Sequence, residues 1–145
     1  MEAGASTRLC PQKSAHPFPR PLRNNDIHNP KWGNGFLGCL RPFCGELREE
    51  NFIEVMECIR ALKEEFNNAA VERDMIADIV SIVHLTREWA APYGMLGRNN
   101  ILTGEQTESL LTWVTIIENC LMYLLDNDEE DAFSDYEDYQ NGEYL

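Results

Sequence analysis

The stretch from Thr103 to Asp126 constrains the fold more than any other. Leu110, Val114, Ile117, Leu121 and Leu124 recur at steps of four, three, four and three, which puts them on one side of a helix. Leu111, Trp113, Ile116, Cys120 and Leu125 widen that stripe past half the circumference. Thr103-Gly-Glu-Gln106 reads as a capping box, in which the threonine hydroxyl accepts the amide three residues on and the glutamine side chain reaches back. Asp126-Asn-Asp128 ends the apolar pattern. A helix over 104–125 is a rod of about 33 Å at 1.5 Å per residue. A rod apolar on so many sides needs other elements over it.

Two further stretches supply them. The spacing predicts a helix over 46–66, with Phe52, Val55, Met56, Ile59, Leu62 and Phe66 on one side and Glu49, Arg60, Lys63 and Glu64 on the other. Asn67-Asn68 breaks it, since asparagine competes with the helix for its own backbone bonds. A second helix is predicted over 69–90, with Met75, Ile76, Ile79, Val80, Ile82 and Val83 as a broad apolar face and Trp89 beyond it. Pro92, Gly94 and Gly97 end that helix. Tyr93, Met95, Leu96, Ile101 and Leu102 make the following loop apolar enough to pack back. No strand pattern interrupts this order. The expected fold is all-α: a small three-helix bundle over 35–126, with helices at about 46–66, 69–90 and 104–125. Gly35 to Cys44, carrying Phe36, Leu37, Leu40 and Phe43, reads as a latch that docks as a fourth element. The alternative for the latch is a membrane-touching segment acylated at Cys39 or Cys44.

Both ends read differently from the body. Prolines at 11, 17, 19, 21 and 30 forbid a helix over 1–34, so a disordered, basic, Pro-rich arm is expected there. Residues 127–145 are acidic, with Phe133, Tyr136, Tyr139 and Tyr144 interleaved among the carboxylates. That composition predicts a disordered tail whose aromatics stay exposed and available. Phe133, Tyr136, Tyr139 and Tyr144, with Asp135 and Glu137, are therefore the candidate interaction residues. Ser134-Asp-Tyr-Glu137 matches an acidophilic kinase site, and Tyr139-Gln-Asn141 has the phosphotyrosine-x-Asn form. Ser134 and Tyr139 are thus the phosphorylation candidates.

Charge narrows the partners. Residues 1–44 carry six Lys/Arg against two acids, 45–125 six against fourteen, and 126–145 nine acids and no base, for a net charge of −13. A net-acidic body disfavours nucleic acid or anionic membrane as the ligand of the folded domain and suits a protein partner with a basic surface. No uninterrupted apolar run approaches the roughly 20 residues of a membrane span, so no transmembrane segment is expected. The first residues hold no apolar signal core. Five cysteines without a Cys-x-x-Cys pair suggest a reducing compartment, cytoplasm or nucleus.

The chain offers no catalytic signature: no Gly-x-Ser-x-Gly, no phosphate loop and no His-Glu-x-x-His. His84 and Glu88 lie one turn apart and read as a solvated ion pair. Cys10, His16, His28, Cys39 and Cys44 lack the short paired spacing of a zinc site. No cofactor or metal is expected. Leu121-Met-Tyr-Leu-Leu125 fits Leu-x-x-Leu-Leu but falls within the core stripe.

The expected function is a non-enzymatic regulatory or adaptor role, exercised through a face of the bundle and the acidic tail. A second copy of the chain is a candidate partner, because three helices cover their apolar sides incompletely. Two alternatives stand beside this. Arg73 to Val83 resembles, over eleven residues of generic amphipathic pattern, a helix of small plant-virus silencing-suppressor and movement proteins. A virus-encoded accessory protein that sequesters a host protein of silencing or innate defence is the first alternative. A small helical enzyme whose site is not visible in the linear chain is the second.

Overall fold

A computed structural model describes residues 35–144. The basic arm, with Cys10, His16 and His28, lies outside the described residues. In order, the elements are α1 (Glu49–Ala61), a 3-10 turn (Lys63–Asn67), α2 (Arg73–Ala90), a 3-10 turn (Arg98–Asn100), α3 (Gly104–Leu125), α4 (Glu129–Ala132) and α5 (Ser134–Gln140). The fold is all-α; among the described residues the only sheet-like pairing is a single bridge between Leu40 and Phe43.

α3 occupies the predicted span, and its capping box is formed. Thr103 Oγ1 accepts the Gln106 amide at 3.0 Å, and Gln106 Oε1 accepts the Thr103 amide at 2.9 Å. All five residues of the predicted stripe are buried, with Trp113, Ile116 and Cys120 beside them. Leu125, assigned to the widened stripe, instead faces solvent at 50% exposure. By length and composition alone Gly104–Leu125 is apolar enough to cross a membrane. In this fold eight of its side chains are buried against the other elements.

The other boundaries move for local reasons. α1 ends at Ala61, five residues short of the prediction, because the Leu62 amide is shared between the Cys58 and Ile59 carbonyls at 3.2 and 3.0 Å. That shared bond tightens the chain into the 3-10 turn, which delivers Phe66 to the core. α2 begins at Arg73 rather than 69, after Asn68 has turned to an extended conformation. Val80, expected on the apolar face of α2, is 48% exposed. In the loop that follows, Leu96 and Leu102 pack back as predicted, whereas Tyr93 and Ile101 do not. The loop is pinned at the Trp89 carbonyl, which accepts the Leu96 and Gly97 amides at 2.8 and 3.1 Å.

The latch docks. Phe36, Leu37 and Leu40 are buried in the common core, and Phe36 meets Trp113 edge-on. Asn51 Nδ2 reaches Cys39 Sγ at 3.3 Å, and Gln106 Nε2 donates to the Gly45 carbonyl at 3.0 Å.

The C-terminal segment departs most from expectation. The prediction of a disordered tail over 127–145 is corrected for the described residues 127–144. Asp128 caps α4 through Asp131, and Ala132, Phe133 and Tyr136 are buried in the core. The cause is helical spacing: positions 132, 133, 136 and 139 share one side of a helix, and that side is aromatic but for Ala132. α1 and α3 start at the same end, α2 returns, and α4 and α5 return along α1 and α3. The three-helix bundle thereby gains a fourth wall.

Candidate functional site

Residues 128–144 sit in the groove between α1 and α3, and their contacts run in reverse order along α1. Glu129 lies 3.2 Å from Lys63 Nζ. Next, Arg60 lies over the Phe133 and Tyr136 rings, 5.3 Å from each centroid, and 3.9 Å from Glu137. The Tyr136 hydroxyl then donates to Glu57 at 2.9 Å. Finally, the Tyr139 hydroxyl donates to Glu49 and accepts the Trp113 indole N–H at 2.9 Å. Phe52 lies at the centre, stacked on Trp113 and closed by the edges of Tyr136 and Tyr139. From α3, Asn119 Nδ2 donates to Asp135 at 3.1 Å.

This seat shapes the titration of its groups. Burial raises the Tyr136 phenol well above its ordinary value, and the bond to Glu57 and that carboxylate's charge add to the rise; Arg60 opposes it. Burial likewise raises Tyr139, helped by Glu49 and countered by the Trp113 N–H. The buried Cys120 thiol is pushed up to about 12 by desolvation; Arg60 opposes this and Asp135 adds to it.

The candidate interaction residues therefore divide. Phe133 and Tyr136 are buried, Tyr139 and Tyr144 are half-buried, and none of the four stands free in solvent as an open aromatic. Asp135 is half-buried on Asn119, while Glu137 remains outward. Ser134 is exposed, its hydroxyl donating to the Asp131 carbonyl at 3.0 Å. Glu130, Asp131, Glu137 and Asp138 all face solvent. The segment is thus an ordered ridge, aromatic inside and anionic outside. Sequence reading missed the other half of the seat: Glu49, Phe52, Glu57, Arg60, Lys63 and Asn119. The helical step from Phe133 through Tyr136 to Tyr139 is the signal that points to such a seat.

A second surface lies on the far side of α3. Arg87 of α2 bonds Glu118 at 2.8 Å and Thr115 at 3.3 Å across the seam between the antiparallel helices. From that pair, seven residues back along α2 and seven forward along α3, about two turns each, the antiparallel register brings Val80 level with Met122 and Leu125. All three are exposed, Met122 at 61%. The Leu-x-x-Leu-Leu match splits accordingly: Leu121 and Leu124 are core, and Leu125 belongs to this seam.

An open depression of about 420 Å³ at the shared start of α1 and α3 is lined by Glu46, Glu49, Glu105, Gln106 and the edge of Trp113. His84 and Glu88 are both exposed on α2. Among the described residues no three His, Cys, Asp or Glu side chains converge as a metal site. Comparison with family models, with curated proteins and with solved structures finds no match for this chain.

Proposed function

We propose that this chain is a non-enzymatic regulatory or adaptor protein that binds a protein partner with a basic surface. The observation that carries the reading is the sorting of the C-terminal ridge. Its aromatics anchor it to the bundle, so its outward carboxylates are held in fixed relative positions. Preorganised charge costs less to engage than charge on a disordered tail, because the ordering is already done. Exposed Ser134, beside Asp135 and Glu137, is the serine we assign to acidophilic phosphorylation.

The Val80, Met122 and Leu125 seam is the accompanying apolar contact, and a second copy of the chain is the partner assigned to it. Sedimentation of Leu125→Glu beside the parent chain reads this part. We take α3 as a core helix and not as a membrane span, in keeping with its burial. Cys44 and Cys120 are free thiols, which suits the reducing cytoplasm or nucleus.

The test neutralises the ridge without unseating it. Glu130→Gln, Asp131→Asn and Asp138→Asn together leave the Arg60 and Lys63 contacts in place. Affinity capture with the parent chain should retain a protein with a basic surface, and that protein should be lost at raised salt and with the triple variant. Capture that is indifferent to both changes rules out the ridge as the contact. Deleting 127–145 is the poorer experiment, because it also strips the cover from Phe52 and Trp113.

A further inference from the structure

The ridge reading uses Tyr139 only as one of the aromatic anchors. Its ring packs on Phe52, but its hydroxyl reaches the rim of the bundle, between the Trp113 indole N–H and the Glu49 carboxylate. Glu49 also borders the open depression that Glu46 and Glu105 line. Along the chain, Tyr139 follows Asp135, Glu137 and Asp138 and precedes Gln140-Asn141. Acid-preferring tyrosine kinases accept that context, and basic phosphotyrosine pockets read an asparagine two residues on.

We propose that Tyr139 is a phosphorylation site and that modification there unseats the C-terminal segment from the groove between α1 and α3. In the transfer, the phenolic oxygen attacks the γ-phosphorus of ATP and an O–P bond forms. The bond from that phosphorus to the β–γ bridging oxygen breaks, ADP leaves, and the phenolic proton passes to the kinase's base. The product carries between one and two negative charges near neutral pH. Back in the seat, that phosphate would meet Glu49, with Glu46 and Glu105 around the same depression. It would also lack the proton that joins Tyr139 to Glu49. Both changes favour the unseated state. Access needs only local opening, because α5 is seven residues long and ends at Gln140, with Gly142 at φ +75° just beyond. Once unseated, the segment leaves Phe52 and Trp113 uncovered. The inference shares the seated segment with the ridge reading, but its test reads the seat itself and not the capture of a basic partner.

The full-length protein is incubated with an acid-preferring tyrosine kinase and ATP. The modified residue is mapped by mass spectrometry, and amide exchange is followed before and after. Phosphate is expected on Tyr139. The amides of Glu137, Asn141, Gly142 and Glu143, each bonded within the segment, should then exchange roughly tenfold faster or more, while those of α3 stay protected. Tyr139→Phe carried through the same treatment should keep its protection, and Glu49→Gln carrying the phosphate should recover part of it. Four results would overturn the proposal: no phosphate on Tyr139; a Tyr139→Phe chain that still loses protection; no recovery in Glu49→Gln; or a phosphorylated segment exchanging as slowly as before.

Discussion

Phe52 lies flat against Trp113, with ring planes 9° from parallel and centroids 5.6 Å apart. This pair joins α1 to α3 at the point where the C-terminal segment closes over them. Edge-on contacts from Tyr136 and Tyr139 to the same phenylalanine make it the hub of the seat. Truncating a fully buried phenylalanine costs about 3–5 kcal/mol through lost transfer energy and the cavity left behind. Phe52→Ala should therefore lower the unfolding free energy measured in urea by that amount and loosen amide protection across 129–143 together with it. A loss of stability that leaves the segment protected would show that Phe52 is not its anchor.

Thr86 is wholly buried on α2, and its hydroxyl has no hydrogen-bond partner among the described residues. A buried unpaired hydroxyl is destabilising by about 1–3 kcal/mol, and valine has nearly the same shape. Thr86→Val should therefore stabilise the chain by about 1 kcal/mol, measured as a higher midpoint at unchanged denaturant slope. A lower midpoint would mean the hydroxyl has a partner after all.

Two glycines should respond oppositely to alanine. A Cβ on Gly97 would stand 1.9 Å from the Ala91 carbonyl oxygen, which is backbone and cannot rotate aside. At Gly104, the first residue of α3, a Cβ meets nothing within 4 Å. Gly97→Ala should cost about 1–3 kcal/mol by the usual scale of forced backbone movement. Gly104→Ala should stabilise by about 0.5–1 kcal/mol through lower chain entropy in the unfolded state. Thermal unfolding of the two variants side by side checks both signs.

Alkaline stability follows from Tyr136. Its folded-state phenol holds its proton above the ordinary value, chiefly by burial and then through Glu57. The unfolded chain releases that proton near pH 10, so between about pH 10 and the raised value the folded state binds more protons. Stability is therefore unaffected below about pH 10 and falls as pH rises beyond it. Tyr136→Phe should show a shallower fall over the same range in denaturation measured at stepped pH. Equal slopes would mean that Tyr136 ionises as freely in the fold as out of it.

Periodicity was the most legible feature of the chain. The five-residue stripe of α3 and its capping box are encoded locally, within a few residues of one another, and both stand as predicted. Boundaries were less legible where one amide chose between two carbonyls, as at Leu62. The latch was readable because its apolar residues have no competing pattern around them. The C-terminal ridge was not, because its eight carboxylates dominate the composition and mask the helical step of Phe133, Tyr136 and Tyr139. What seats it lies far away in sequence: Tyr136 meets Glu57 and Tyr139 meets Glu49, separations of 79 and 90 residues. Such pairings carry no local trace.

Gln106 serves two masters. Its carbonyl end closes the cap of α3, and its amide end holds the Gly45 carbonyl, 61 residues upstream. In most capping boxes glutamate does the work as well as glutamine. Here it would turn an acceptor toward an acceptor and let go of the turn that leads from the latch into α1. A single nitrogen in place of oxygen thus decides whether the start of the longest helix and the entry of the first one are tied together.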